Sequence, residues 1–183
     1  MNNIKQIKHV FLDVVNFTKE RTIETQTIII SSLNSIIKNS ITEVLPNAVI
    51  DENIILIPTG DGICISIVNI HDPYDVEILL ASKILELIHI YNKKENNDTT
   101  RYSIRIGIAA NYDNVITDIN NRKNIAGHGI NMASRIMDSS DENVILISES
   151  LHDVLNNRDK YFRKFIKYSF NIKHGYTISC YKY

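Results

Sequence analysis

No apolar stretch of the chain approaches the roughly 18 residues needed to cross a bilayer. The opening Met1-Asn2-Asn3-Ile4-Lys5 has neither the apolar segment nor the cleavage site of a signal peptide. A cytoplasmic protein without membrane association is therefore expected. Excess charge is missing as well: 20 Lys and Arg stand against 21 Asp and Glu, a formal net charge of −1, so no overall basic field draws nucleic acid or an anionic membrane. Cysteine is scarce. Its two copies, Cys64 and Cys180, each lie in an apolar strand-like run with no CxxC spacing, which argues against a metal knuckle or redox pair and for reduced core thiols. No repeat of about 20 to 50 residues and no long disordered tract interrupts the chain.

What is abundant is apolar residue, 44% of 183 positions, enough at this length for one sizeable core. A single domain over residues 1–183 is expected. The most polar segment, Asn92 to Thr100, reads as a surface loop, because the apolar runs on either side are short and need each other for a core. After a first strand through His9-Val10-Phe11-Leu12, residues 14–18 form a turn. Ile23, Ile30, Leu33, Ile37, Ile41 and Val44 then recur at three- and four-residue steps and predict an amphipathic helix ending before Pro46, against the strand propensity of Thr27-Ile28-Ile29-Ile30. Pro73 opens a second helix with apolar Val76, Leu79, Leu80, Ile84, Leu87, Ile88 and Tyr91. Tyr102, Ile104, Ile106 and Ile108 alternate with Ser103, Arg105 and Gly107, a strand with Arg105 on the face opposite the isoleucines.

Gly127-His128-Gly129 leads into a short helix on which Asn131 and Arg135, four apart, share a face. Val144-Ile145-Leu146-Ile147 is a buried strand, Glu149 to Leu155 a short helix, and Phe162 to Tyr183 two strands turning near His174-Gly175. The order implies an α/β (α+β) fold with a mixed central sheet and flanking helices, whose first part fits a ferredoxin-like sandwich.

The chemistry gathers at Ile57-Pro58-Thr59-Gly60-Asp61-Gly62. Apolar residues lead in at Ile54, Ile55, Leu56 and Ile57 and leave at Ile63, Cys64, Ile65, Ile67 and Val68, a β-hairpin with a carboxylate at its turn. Asp13 ends the first strand. Two convergent aspartates at strand ends can hold a divalent metal; the same residues also describe an ordinary Asp-Gly turn and a helix-capping Asp. Arg105 either faces solvent or, if its face lines a cleft, offers a phosphate its planar fork. Asn131 beside Arg135 either decorates a polar helix face or serves charge developing on phosphate oxygen and ribose.

Four segments in order, Phe11-Leu12-Asp13-Val14-Val15-Asn16-Phe17-Thr18, Thr59-Gly60-Asp61-Gly62, Arg105-Ile106-Gly107-Ile108 and Gly127-His128-Gly129-Ile130-Asn131-Met132-Ala133-Ser134-Arg135, resemble the signature segments of class III nucleotide cyclases. The resemblance spans most of the chain. It implies conversion of a nucleoside triphosphate to a 3′,5′-cyclic monophosphate and pyrophosphate, with two divalent ions (Mg2+ or Mn2+) on Asp13 and Asp61 and the Val14 carbonyl assisting. It further implies that the backbone amides of Val15, Asn16, Phe17 and Thr18, at a helix start, cradle phosphate. Arg105 would bind the triphosphate, Asn131 orient the ribose, Arg135 stabilise the transferring phosphoryl group, and Lys173 reach the phosphates. The family's site joins metal-binding residues of one subunit to the Asn and Arg of another. Because this chain carries both halves, a symmetric homodimer with interfacial sites follows.

The chain departs from the pattern where the base is chosen. Purine cyclases of the family carry Lys or Glu three residues before the hairpin glycine, and Asp, Thr or Cys seven residues before the ribose Asn. Here those positions are Ile57, which cannot hydrogen-bond a base, and Asn124, which both donates and accepts. Asn16 replaces a common Gly and tolerates a left-handed backbone. His128 is expected to be an exposed residue beside the glycines. With an altered base pocket and no accompanying sensor, span or linker, the chain resembles the pyrimidine cyclases of bacterial anti-phage signalling, which use UTP or CTP. Adenylate cyclase activity is one alternative, and a catalytically silent nucleotide-binding dimerisation module is another. A phosphatase of the haloacid dehalogenase type is disfavoured, since Val15 stands where its second Asp belongs.

Overall fold

The computed structural model describes residues 3–171 and 177–183. Its two central strands are β1 (Ile4–Val14) and β4 (Ile104–Thr117), paired antiparallel from Ile4 opposite Asn114 to Val14 opposite Ile104. Side chains alternate across a pleated strand, and that alternation divides the molecule into two layers. Val10, Leu12, Val14, Ile104, Ile106 and Ile108 form one core with α1 (Ile23–Val44) and α2 (Val76–Lys94). The intervening residues, among them His9, Asp13, Arg105, Gly107 and Asp113, occupy the other face. There α3 (His128–Asp138) crosses, with Ala133 and Met137 directly over Gly107.

The hairpin strands β2 (Ile54–Pro58) and β3 (Gly62–Val68) extend the sheet on one side of β1, giving the order β2-β3-β1-β4 over a β1-α1-β2-β3-α2-β4 chain path. That is the ferredoxin-like sandwich expected. Beyond β4 come β6 (Ile145–Ser148), parallel to it, then β8 (Thr177–Lys182) and β7 (Ile166–Asn171), both antiparallel, while β5 (Lys123–Ala126) pairs with the far end of β4. The short α4 (Glu149–Leu155) places Leu151 and Leu155 in the α1–α2 core.

Local propensity yields to burial in α1, which stays helical through Thr27-Ile28-Ile29-Ile30 because Ile29 is fully buried. Several boundaries differ from the sequence expectation. Pro73 lies ahead of α2 rather than in its first turn; the N-cap is Asp75, whose carboxylate accepts hydrogen bonds from Lys160 Nζ (2.5 Å) and Tyr161 Oη (2.7 Å). The polar stretch after Asn92 is partly ordered, since α2 continues to Lys94 and Asp98–Thr100 forms a 3-10 turn. β4 runs past Ile108 to Thr117 and returns as β5, a hairpin that the weakly alternating residues 109–117 did not signal. The strand expected from Phe162 begins at Ile166, and the turn near His174-Gly175 lies outside the described residues. Cys64 and Cys180 are both buried and free, as expected. Among the described residues no helix is long and apolar enough to cross a membrane.

Candidate active site

The β1–β3 pairing brings the two aspartates together. Asp13 stands opposite Gly62, and the Val14 N–H donates to the Asp61 carbonyl (3.2 Å). Gly60 takes the left-handed backbone of the turn (φ 98°), and a Cβ on Gly62 would lie 2.3 Å from the Leu12 carbonyl oxygen, so only glycine lets β3 approach β1 here. Partial burial, and then the neighbouring Asp13 carboxylate, raise the pKa of Asp61 above its ordinary value; its backbone hydrogen bond and Arg105 pull the other way.

A cation already sits on this pair. Arg105 is opposite Asp13 across the β1–β4 ladder; its Nη2 donates to Asp13 Oδ2 at 2.5 Å and its Nη1 to the Asp138 carbonyl at the end of α3 (3.3 Å). Its Nε is buried with no hydrogen-bond partner among the described residues. Neither is there, among those residues, a cluster of three or more His, Cys, Asp or Glu able to hold a metal. An ion here would take the two carboxylates and further oxygens from backbone or ligand. That all-oxygen set suits a hard divalent cation such as Mg2+ or Mn2+, and the Arg105 contact shows that Asp13 accepts positive charge.

Residues 15–18 form a turn rather than a helix start. Helix α1 begins later, at Ile23, with Thr22 as N-cap accepting from the Thr25 N–H (3.3 Å), so its dipole does not act directly on this loop. The Val15 N–H is also engaged, donating to the Ser103 carbonyl (3.0 Å). What organises the loop is Arg21, a residue that sequence reasoning missed. Its guanidinium donates to the carbonyls of Val15 (3.4 Å), Asn16 (3.0 Å) and Phe17 (3.5 Å), and also of Thr99 (3.2 Å) and Arg101 (2.9 Å). In a trans peptide the N–H points opposite to the C=O. With three successive carbonyls turned to Arg21, the N–H groups of Asn16, Phe17 and Thr18 are turned away from it, and they make no hydrogen bond among the described residues. Such a run of free amides is an anion-binding concavity. Asn16 holds φ at 51°, the left-handed region anticipated for it, and a cavity of about 350 Å3 opens beside the loop between Asn16, Arg21 and Arg101.

The remaining groups lie on α3 and near its start. Asn131 and Arg135 are both exposed, whereas Gly129, Ala133, Ile136 and Met137 are the buried positions of the helix. Asn131 Nδ2 donates to the Gly127 carbonyl (2.9 Å). Neither residue bonds to Asp13, Asp61 or Arg105 of its own chain. Ile57, on β2, packs against a small apolar cluster of Ile7, Ile55, Val68 and Ile125 that Ile130 of α3 also joins. Asn124 is the neighbour of Ile125 on β5, and its Oδ1 accepts from the Ile125 N–H (2.7 Å). Of the two positions, Ile57 thus joins the patch that Ile130, the neighbour of Asn131, also joins, and Asn124 is next to it in the chain at Ile125. His128 opens α3 and is exposed. Lys173 lies outside the described residues.

The fold is that of a nucleotide cyclase catalytic domain. Over residues 1–181 the chain matches the Adenylate and Guanylate cyclase catalytic domain, and it belongs to that family. Nothing matches among curated proteins. Among solved structures, the guanylyl cyclase Cya2 superposes with a TM-score of 0.77 at 14% identity, covering 99% of this chain and 92% of the other. The guanylate cyclase domain of RhGC from Catenaria anguillulae, in complex with GTP, gives 0.70 at 19% identity over 97% and 95%. The adenylyl cyclase CyaB from P. aeruginosa gives 0.70 at 16% identity over 100% and 95%.

Proposed function

We propose that residues 1–183 act as one catalytic domain, in the cytoplasm, converting UTP or CTP to the 3′,5′-cyclic monophosphate and pyrophosphate in phage-defence signalling. The observation that carries the reaction is the Asp13–Asp61 pair beside the free amides of Asn16, Phe17 and Thr18. Asp13 and Asp61, with the Val14 carbonyl, would hold two Mg2+ or Mn2+ ions, which when bound supply the charge that acidifies the ribose 3′-hydroxyl and gathers the triphosphate. The loop amides bind phosphate oxygens. Arg105 keeps Asp13 paired in the free chain and would offer the triphosphate the partly exposed end of its guanidinium once a metal ion takes over Asp13. The ribose 3′-oxygen, having lost its proton, bonds to the α-phosphorus as the bond to pyrophosphate breaks. Asn131 orients the ribose, and Arg135 stabilises the charge that builds on the phosphoryl oxygens.

Exposed Asn131 and Arg135 do not meet the carboxylates of their own chain, which supports an isologous homodimer: each site takes Asp13 and Asp61 from one subunit and Asn131 and Arg135 from the other. For the base, Ile57 supplies apolar surface only. The Asn124 oxygen accepts from the Ile125 N–H, which leaves its NH2 as a donor that uracil and cytosine carbonyls accept, as do purine acceptors. The lean to pyrimidines therefore rests on the missing purine-selecting pair rather than on Asn124. The link to phage defence rests on the resemblance of this altered pocket to that of pyrimidine cyclases. Incubation with ATP, GTP, CTP and UTP plus Mn2+ tests the reading. Cyclic UMP or cyclic CMP is the expected main product. A dominant cyclic AMP product overturns the pyrimidine assignment, and no product from any of the four by folded dimer overturns the reaction.

A further inference from the structure

Beneath α3 lies a polar network that the reaction does not use. His9 of β1 is fully buried and bridges two partners: Nδ1 lies 2.9 Å from Ser66 Oγ of β3, and Nε2 lies 3.1 Å from Asp113 Oδ2 of β4. Asp113, only 2% exposed, also accepts from the first turn of α3, Oδ1 from the Gly129 N–H (3.2 Å) and Oδ2 from the Ile130 N–H (3.0 Å). The chemistry fixes the direction of each bond. Burial outweighs the pull of Asp113 and lowers the His9 pKa to about 4, so the ring is neutral at pH 7 and carries one N–H. A carboxylate accepts only, hence that N–H is on Nε2; Nδ1 accepts from the Ser66 hydroxyl, which in turn lies 3.6 Å from Cys64 Sγ.

The two glycines before Asn131 are matched to this carboxylate. A Cβ on Gly127 would fall 2.1 Å from Asp113 Cγ, and one on Gly129 2.8 Å from Asp113 Oδ2. Apolar packing alone lets a helix slide or turn by small amounts. A carboxylate gripping two successive N–H groups, itself held by a ring on a central strand, fixes both the height and the rotation of the helix. His9 is on the strand and face that also carry Asp13.

We infer that His9 and Asp113 are positioning residues, a buried brace that locks the first turn of α3 to β1 and so holds Asn131 and Arg135 in their catalytic orientation; this rests on the roles proposed above for those two residues. His9→Leu removes the donor at similar volume, Asp113→Asn replaces one of the two acceptor oxygens by an NH2 at nearly constant shape, and His9→Gln keeps an N–H for Asp113. The first two are expected to lower kcat about tenfold or more with KM within about twofold, since misplacing catalytic groups by an ångström is costly. His9→Gln should recover kcat to within about threefold of the starting protein. NMR-detected exchange at the Gly129 and Ile130 amides should accelerate in His9→Leu and Asp113→Asn and not in His9→Gln. Unchanged kcat and unchanged exchange in Asp113→Asn overturn the brace, as does a loss confined to KM. Asp113→Asn carries the test if His9→Leu fails to fold. If the starting protein makes no cyclic nucleotide, amide exchange still reads the brace, so the two proposals fail separately.

Discussion

Asp13 and Asp113 share one face of the central strand pair, yet they are held in opposite ways. Asp113 is buried, and each of its oxygens has a defined donor: two helix amides and a histidine N–H. Asp13 is partly exposed, sits against a second carboxylate, and is paired with an arginine that is itself about 30% exposed. A satisfied buried carboxylate has nothing to gain from a ligand and serves as a fixed strut. An under-satisfied pair at a strand end gains from any cation, and its present partner can be exchanged. Equal residue types on one sheet thus differ in the completeness of their partners, closed at Asp113 and open at Asp13.

The sharpest way to test that division is to remove one carboxylate of the reactive pair. Asp61→Ala should lower turnover by about a thousandfold or more, while urea denaturation shifts by less than about 1 kcal/mol, since a partly exposed turn residue adds little to the core. Arg135→Ala should be inactive to a similar degree. Mixing the two variants should restore about a quarter of the activity, because half of randomly paired dimers then hold one intact site of two. Additive residual activity without recovery would place both halves in one chain.

The strut end should show itself through pH. His9 has a folded pKa lowered from 6.5 to about 4, so the unfolded chain takes up the proton first as pH falls. Its contribution is fully present above pH 6.5 and is lost as pH falls towards 4, amounting to about 3 kcal/mol. Denaturant midpoints at pH 7 and pH 4.5 should differ markedly in the starting protein, and clearly less in His9→Gln, which has no proton to take up.

A smaller effect is expected at Arg21. Its five carbonyl contacts shape the loop at residues 15–17 without touching the carboxylates. Arg21→Lys, a point charge that cannot span them, should raise KM for the triphosphate by about tenfold with a lesser change in kcat, measured in initial-rate assays. An effect confined to kcat would move Arg21 from substrate binding to the chemical step.

Much of this arrangement is local in origin and therefore legible in the sequence. Alternation in residues 102–108 put Arg105 opposite the isoleucines, the four-residue step put Asn131 and Arg135 on one face of α3, and the Gly60-Asp61-Gly62 turn stood out between two apolar runs. The loop at Asn16 also took its anticipated left-handed turn. What misled was equally local. The residues after Val14 read correctly as a turn, but the resemblance set their amides at a helix start, which comes only at Ile23; β5 was missed because residues 109–117 lack apolar alternation. His9 and Asp113 were silent, since a polar residue on a strand says nothing of its partner.

The sequence by itself determined the inventory: which side chains exist, their order, and which face of its own strand or helix each occupies, because periods of 2 and 3.6 are properties of neighbouring residues. Only the tertiary structure decided which of them meet. Asp13 reaches Arg105 across 92 positions, Arg21 reaches the Arg101 carbonyl across 80, and His9 reaches Asp113 across 104. Those meetings follow from strand order and register, which a shared core fixes for the whole sheet at once. The same register leaves Asp13 a carboxylate still open to a cation and makes Asp113 a closed one.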